Sequence, residues 1–300
     1  GPYEKGAPCC YVDGPSKDSE YELFQEDLDR LAPHIEGAIK RVPAFGEVGV
    51  KKVYNGAICY TPDGSPLVGP AWGLKNFWIN DGHSFGITAA GGAGWQLAEW
   101  IIDGEPTIDM LGVDPRRFGS YVTKSYLMEK NEEAYANVFT IHYPDEEREA
   151  GRPLRQAPCY DRLKNLGAVF GQKFGWERAN WFAENETKPK YEYSYGRQNW
   201  FEHSAAEHIA VREGVALFDQ SSFGKFRLEG RDAVAVLNRV CVNNVDVAEG
   251  RVVYTQWLNE RGGIEADLTV TRLSETAFMI VGGAETEVRD FYWLKGQIPY

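Results

Sequence analysis

The residues of this 300-residue chain that are best suited to chemistry lie in one glycine-dense turn, within INDGHSFGITAAGGAGWQLAEW from Ile79 to Trp100. The pattern predicts a strand, a turn and an amphipathic helix. Gly82 and Gly86 permit backbone conformations closed to other residues and allow a ligand to approach the main chain closely. The helix that follows offers free N–H groups and the positive end of its dipole. Such a turn can hold a nucleotide or the ring of a redox cofactor, although tight packing of a strand against a helix accounts for the glycines about equally well.

The elements around this turn are predicted from hydrophobic periodicity and turn residues. Residues 19–42 have apolar positions at helical spacing, and Pro33 interrupts them, which predicts two helical pieces or a kink. β-Branched and aromatic residues predict strands over 48–60 and 76–80, with a Pro-Asp-Gly turn and a second Pro-to-Gly turn between them. A helix is predicted over 123–136. Two tight turns and a strand therefore lead into the glycine-dense turn.

The order of several motifs resembles the flavin-dependent dimethylglycine and sarcosine dehydrogenases. The motifs are, in chain order, TPDGSPLVGP, NFWINDGHSFGITAAGGAG, IIDGEP, DPRRFG, EEREAGRP, RQNWFEH, LFDQSSFGKFRLEGRDA and GGIEADLTVTRL. They extend from Thr61 to Leu273. Agreement in the order of independent motifs is far more specific than any one of them.

The resemblance implies a multidomain chain of mixed α+β and α/β class. Residues 1–119 are expected to form the C-terminal part of a D-amino-acid-oxidase-like FAD domain, and residues 120–176 a central linking domain. Residues 177–300 are expected to form the N-terminal part of an aminomethyltransferase-like domain. The GxGxxG turn that grips the pyrophosphate in flavin domains of this type is not found in the sequence, so we expect a portion of a longer polypeptide.

The resemblance also implies oxidative N-demethylation of a methylated glycine-type amine, dimethylglycine or sarcosine, with FAD as the cofactor. The expected flavin-contacting residues are His83, Ser84, Phe85, Gly86, Ile87 and Thr88. His83 is the catalytic candidate, as a base or hydrogen-bond partner near the amine, because imidazole can play either part at neutral pH. The alternative is a histidine that is simply satisfied by the backbone.

The C-terminal part carries a second expected site, for tetrahydrofolate. Residues 252–258, 264–271 and 277–281 are predicted strands, with helices over 206–213 and 232–240 and shorter strands over 216–218 and 225–228. By motif, the folate contacts fall on Tyr254 and Asp267, with the adjacent Leu268 and Thr269. A carboxylate can polarise the folate nitrogens as they capture a one-carbon unit, and a tyrosine offers stacking area and a hydroxyl. Glu265, Ala266 and Thr271 depart from the usual pattern, which bears on how tightly folate binds.

Composition argues against other classes of protein. The formal net charge is -12, and binding nucleic acid needs clustered Lys and Arg that are not evident here. The five cysteines are scattered and odd in number, which argues against a disulfide framework or a structural zinc site. No apolar run reaches the length of a membrane span. A reducing compartment is expected, the bacterial cytoplasm or the mitochondrial matrix.

Other patterns admit two interpretations each. Arg148, Arg152 and Arg155 within EEREAGRPLR suit a phosphate or acid-binding site, but a solvated helix end is the more ordinary explanation. Aromatic residues between 176 and 201 resemble a base-stacking surface, yet the basic residues of such a surface are few, which favours packing between domains.

Three functions follow as hypotheses. In the first, an N-methyl amine is oxidised by FAD and the one-carbon unit passes to tetrahydrofolate, within one-carbon metabolism and the catabolism of choline and glycine betaine. Electrons then go to an electron-transfer flavoprotein or to oxygen. In the second, a folate-dependent methyl or aminomethyl transferase retains a vestigial flavin domain. In the third, the chain is a non-catalytic structural module.

Overall fold

The structure is a computed structural model that describes residues 3–4, 6–20, 22–184 and 187–298. The first expected domain begins at residue 1 and the last ends at residue 300, and both of these residues lie outside the described ranges. The helices are α1 Leu28–Arg41, α2 Ile87–Asp103, α3 Lys124–Asn137, α4 Tyr160–Asn165, α5 Phe201–Glu213, α6 Ala233–Val240 and α7 Glu287–Gln297. The strands are β1 Leu67–Pro70, β2 Trp78–Asp81, β3 Ala168–Lys173, β4 Trp176–Phe182, β5 Gly224–Glu229, β6 Val252–Leu258, β7 Ile264–Arg272 and β8 Ala277–Gly282.

The first part of the chain packs a short hairpin against α2. Strands β1 and β2 are antiparallel, with Val68 opposite Asn80. Val68 and Trp100 are buried together with Met110. Gly69 has a φ of 142°, and a Cβ there would lie 2.8 Å from the Trp100 ring. Only glycine allows this strand to approach the C-terminal half of α2 so closely.

The central part joins α3 to a second antiparallel hairpin, β3 with β4. The Glu133 carboxylate of α3 accepts hydrogen bonds from the backbone N–H groups of Glu149 and Ala150, at 2.8 and 3.0 Å. These bonds and the ion pair with Lys130 lower the pKa of Glu133 against the opposing effect of burial. The hairpin extends from residue 168 to 182, on both sides of the expected boundary at 176, and the domain division stays a prediction.

The C-terminal part is a four-stranded antiparallel sheet in the order β5-β8-β7-β6. Alternate residues of β7, Ala266, Leu268 and Val270, are buried on one face. That face packs against α6 and α7 in a core that includes Leu237, Trp257, Phe278, Ile280 and Leu294. The alternate side chains of the strands point to the opposite face, which is open, with Tyr254 and Met279 exposed on it.

Most of the strongly patterned elements agree with the structure, and two predicted strands do not form. Residues 48–60 and 216–218 have no strand structure. A strand needs a neighbour that completes its hydrogen bonds, and apolar side chains alone cannot supply one. Around 48–60, the backbone N–H of Phe24 donates to the Asn55 carbonyl, but no ladder develops.

The N-terminal helix is shorter than predicted and is not divided in two. It begins after Asp27, whose side chain accepts from the Arg30 backbone N–H at 3.1 Å, and Pro33 lies inside it. A proline in a helix removes one backbone hydrogen bond. The helix nevertheless continues through Pro33, and the side-chain cap at Asp27 marks its start.

Candidate functional site

The glycine-dense turn joins β2 to α2 as the sequence predicts. Gly82 has a φ of 71° and Gly86 a φ of 43°, both in the left-handed region that favours glycine. A Cβ at Gly82 would lie 2.7 Å from Cγ2 of Thr61. The turn therefore requires glycine at position 82 for two reasons, the backbone conformation and the close contact with the Pro-Asp-Gly turn.

The N-terminus of α2 is open to a ligand. Gly86 is its N-cap residue and provides no side-chain hydrogen bond, and nothing lies within 4 Å of the position a Cβ would take there. The N–H groups of Thr88 and Ala89 donate to the Phe85 and Gly86 carbonyls. No acceptor for the Ile87 N–H is found among the described residues. This end of the helix can donate to negative charge and carries the positive pole of the dipole.

His83 has one satisfied and one unsatisfied ring nitrogen. Nε2 lies 2.6 Å from Oδ1 of Asn80. Because an amide oxygen can only accept a hydrogen bond, this contact assigns the proton to Nε2. Nδ1 is buried without a hydrogen-bond partner. A buried acceptor of this kind is costly to leave unpaired. The arrangement fits a ligand N–H or O–H donor at Nδ1.

The six residues expected at the flavin run through the turn into the first two residues of α2. The side chains of Phe85 and Ile87 are 50% and 97% exposed, while His83 and Ser84 are partly buried and Thr88 is exposed. Because the glycine cradle, the helix N-terminus and the orphaned His83 nitrogen are adjacent, the residues fit the carbonyl edge of a flavin ring. Tight packing explains Gly82 but not the open space at Gly86.

The residues expected at the folate divide between the two faces of the C-terminal sheet. Tyr254 pairs with Thr269, and Asp267 with Gln256, between β6 and β7. The side chains of these four residues share the open face. Leu268 is only 3% exposed and belongs to the core on the other face, so only its main chain is available to a ligand on the open face.

A hydrogen-bonded group stands at the centre of the open face. The adjacent Asp267 carboxylate raises the pKa of the Tyr254 hydroxyl. Nε2 of Gln256 lies 3.3 Å from Oδ1 of Asp267. Gln256 was not singled out from the sequence, although its position two residues after Tyr254 places it on the same face.

The two sites do not touch, but one carboxylate links their supporting elements. Glu105, two residues after the end of α2, accepts from Nε of Arg261 at 2.6 Å and from the side-chain amide of Asn259. Asn259 and Arg261 lie in the turn between β6 and β7. The helix that starts at the glycine-dense turn is thus tied to the strands that carry Tyr254 and Asp267.

Two of the three arginines considered for anion binding have structural roles. Arg152 donates from Nε and Nη2 to the Glu177 carboxylate at 2.9 and 2.7 Å. Arg155 lies over the Trp176 ring and pairs with Glu287 of α7 at 2.9 Å. Arg148 alone faces a cavity.

That cavity has a volume of about 630 Å³, within the usual range of ligand sites, and Phe85 of the glycine-dense turn lines it. Its other walls come from the Pro-Asp-Gly turn, α3, the segment 142–148 and the hairpin of β3 and β4. The sequence did not indicate this cavity, because its walls are far apart along the chain.

Across the described residues, the helices are too short or too polar to span a lipid bilayer. Within the same ranges there is no group of three or more His, Cys, Asp or Glu side chains placed to hold a metal ion.

Sequence models of three protein families match successive parts of the chain. Residues 3–100 match the FAD dependent oxidoreductase family, and residues 103–157 match the FAD dependent oxidoreductase central domain. Residues 159–299 match the GCVT N-terminal domain. The mixed fold class and the order of domain types predicted from the sequence are therefore confirmed.

Enzymes of methylated amines are among the similar proteins. The 4-methylaminobutanoate oxidase (formaldehyde-forming) of Paenarthrobacter nicotinovorans is 40% identical over 91% of this chain and 33% of its own length. Human mitochondrial dimethylglycine dehydrogenase is 37% identical over 91% of this chain and 32% of its own. Human mitochondrial sarcosine dehydrogenase is 37% identical over 85% of this chain and 31% of its own length. The chain spans about a third of the length of these relatives.

One similar protein is named as a regulatory subunit and not as an enzyme of methylated amines. The mouse mitochondrial pyruvate dehydrogenase phosphatase regulatory subunit is 30% identical over 100% of this chain and 35% of its own length. Similarity over the whole chain therefore extends to a protein named for regulation.

Proposed function

We propose, because this chain belongs to the family of the flavin-dependent dimethylglycine and sarcosine dehydrogenases, that the protein oxidises an N-methylated glycine-type amine and passes the one-carbon unit to tetrahydrofolate. FAD and tetrahydrofolate are the cofactors of the domains that the chain matches. The observation that carries the proposal is the open N-terminus of α2 beside the orphaned Nδ1 of His83.

The residues of the glycine-dense turn bind and orient in this proposal. FAD, when bound, supplies the two-electron oxidation that protein side chains cannot perform. The Ile87 N–H and the dipole of α2 stabilise negative charge at the carbonyl edge of the ring. His83 accepts a hydrogen bond at Nδ1 while Asn80 holds its Nε2, so the imidazole keeps one orientation near the amine.

The open face of the C-terminal sheet receives the folate. Asp267 holds and polarises folate nitrogens, and Tyr254 offers ring area and a hydroxyl beside that carboxylate. Gln256 supports the same carboxylate from the neighbouring strand. The main chain of Leu268 and the side chain of Thr269 complete the surface.

The visible absorbance of the flavin tests the flavin half of the proposal. The full-length protein should be yellow, and it should bleach without oxygen when dimethylglycine or sarcosine is added. In the His83→Asn variant, FAD should remain bound while bleaching slows by about 100-fold, the usual size of an acid or base contribution. A colourless protein that FAD cannot reconstitute would overturn this half, and an unchanged bleaching rate would remove His83 from it.

The folate half is tested by calorimetry with tetrahydrofolate. Asp267→Asn should weaken binding by about tenfold or more, since a charged hydrogen-bond acceptor is lost. Asp232→Asn is the matched control, because Asp232 is an exposed carboxylate of the same domain whose partner is Arg231. Equal affinities in both variants would place folate elsewhere.

A second candidate function is regulatory and non-catalytic, and the similarity to a regulatory subunit over the whole chain favours it. Heat from neither FAD nor folate would support this function. Folate binding without flavin absorbance would instead support the transferase with a vestigial flavin domain. The electron acceptor, an electron-transfer flavoprotein or oxygen, stays a proposal, as does the compartment, because the relatives include mitochondrial and bacterial proteins.

A further inference from the structure

We propose that Glu105, which belongs to the first part of the chain, is a positioning residue for the open face of the C-terminal sheet. It holds the turn between β6 and β7, residues 259–263, and through that turn it fixes the place of Asp267. The role in folate binding rests on the proposed function, whereas the contact itself rests on the geometry of the described residues. The family matches and the sequence motifs assign no role to Glu105.

The chain presents Glu105 at a fixed place. Gly104 ends α2 with a φ of 83°, and its N–H donates to the Trp100 carbonyl at 3.0 Å, a common left-handed end of a helix. Trp100 is buried in the core of the first part, which anchors the last turn of α2. Pro106 restricts the backbone of the residue before it to extended conformations. The Glu105 carboxylate is therefore carried by a short stretch of chain with little freedom to move.

This carboxylate contacts two residues of the turn between β6 and β7. It accepts from Nδ2 of Asn259 and from Nε of Arg261, the latter at 2.6 Å. The Arg261 side chain is 56% exposed and that of Glu105 is 18% exposed, so solvent weakens the ion pair. The partly buried bond from the Asn259 amide to the carboxylate is charge-assisted and less screened. Asn259 is therefore the main contact of Glu105 with the sheet.

Asn259 also organises the turn from within. Its Oδ1 accepts from the backbone N–H groups of Arg261 and Gly263, at 3.1 and 2.8 Å. Its Nδ2 lies 3.1 Å from Oε1 of Glu265. One side-chain amide thus shapes the turn with its oxygen and contacts two carboxylates with its nitrogen. A change at Glu105 reaches the turn through this one side chain.

The strand ladder is interrupted between the turn and Asp267. The pairing passes from Trp257 with Ala266 to Leu258 with Ile264, so Glu265 has no partner on β6. A bulge of this kind leaves its extra residue outside the ladder.

Side chains from outside the hairpin hold the bulge in its place. Arg289 of α7 donates to the Glu265 carbonyl at 2.6 Å and to the Glu265 carboxylate. Asn259, held by Glu105, contacts the same carboxylate. Asp267 is only two residues further along β7, about 7 Å at the rise of a strand. The end of the hairpin that carries Asp267 therefore depends on contacts made by α7 and by the end of α2.

Two measurements on the full-length protein test this role. In Glu105→Ala, the backbone amides of residues 259–265 should exchange with solvent about tenfold faster, because Asn259 loses an acceptor. The amides of β3 and β4 should keep their rates and serve as the internal reference. Calorimetry should show tetrahydrofolate binding about threefold to tenfold more weakly. Asp103→Ala is the matched control, because Asp103 is an exposed carboxylate at the end of the same helix, and it should change neither quantity.

A pair of substitutions separates positioning from general destabilisation. Asn259→Asp keeps an oxygen for the N–H groups of the turn but places a third carboxylate beside Glu105 and Glu265, and it should also weaken tetrahydrofolate binding. Adding Glu105→Gln removes one of these charges and supplies an amide donor. The double variant should therefore recover part of the lost affinity, a coupling that two unrelated losses would not show.

The proposal fails if Glu105→Ala binds tetrahydrofolate as tightly as the unchanged protein, whether or not the turn exchanges faster. It also fails if the losses in the double variant simply add. A full-length protein that binds no tetrahydrofolate before any substitution overturns the proposed folate site and the role of Glu105 together. The failure of Glu105 alone is thus distinguished from the failure of the proposed function.

Discussion

The pair Arg152–Glu177 tests whether the arginine-rich segment is structural. The Glu177 side chain is 3% exposed and that of Arg152 is 10% exposed, and the hydrogen bonds to Glu177 raise the pKa of Arg152. Arg152→Met leaves a buried carboxylate without its cation, a change that costs about 3–5 kcal/mol in free energy of unfolding. Glu149, the second carboxylate that pairs with Arg152, is 76% exposed at 3.3 Å, and so adds little.

Urea unfolding of Arg152→Met, Glu177→Met and the double variant measures this coupling. Each single variant should lose about 3–5 kcal/mol, while the double variant should recover much of the loss, because two apolar side chains of similar volume leave no buried charge. Arg231→Met is the control: Arg231 pairs with Asp232 at the surface, where both side chains are mostly exposed, and little change is expected.

A different result would refute the reasoning. If Arg152→Met unfolded within about 0.5 kcal/mol of the unchanged protein but lost affinity for an anionic ligand, Arg152 would be a binding residue after all. Additive losses in the double variant would show that the two side chains do not interact in solution.

Two further predictions concern pH and the glycine-dense turn. Burial raises the pKa of Asp290 from 3.8 to about 6. The folded protein therefore holds this proton more tightly than the unfolded chain does. The free energy of unfolding should fall by about 3 kcal/mol as pH rises from about 4 to 6. Asp290→Asn should remove that slope in urea titrations at a series of pH values, and parallel curves for the two proteins would contradict the assignment. Gly82→Ala should lower the free energy of unfolding by more than the roughly 1–2 kcal/mol of left-handed strain, because its Cβ also meets Thr61, and should weaken FAD binding. Gly86→Ala introduces the same left-handed strain but no contact of its Cβ with a neighbour. If both variants lost the same free energy of unfolding in thermal unfolding, the contact with Thr61 would be excluded as a cause.

Local pattern was sufficient for elements whose partners are near in sequence. The strand residues 252–258 were predicted with the bounds of β6, and the predicted 264–271 differs from β7 by one residue. The helix predicted over 232–240 corresponds to α6. In this part of the chain hairpins and adjacent packing supply the hydrogen bonds, so periodicity and tertiary structure agree. Residues 48–60 had a similar apolar pattern but no pairing strand, and the structure leaves them irregular.

The sequence by itself determined the class of the protein, the order of its domain types and the place of the glycine-dense turn. These follow from residues close together in the chain, where glycine conformations and side-chain periods act locally. The tertiary structure alone decided that Leu268 faces the core while Asp267 faces the open side, and that Arg152 is buried against Glu177. It also brought Phe85, Phe139 and Glu147 around one cavity. Burial, ion pairing and enclosure depend on which surfaces meet, and residues separated by tens of positions meet only when the chain has folded.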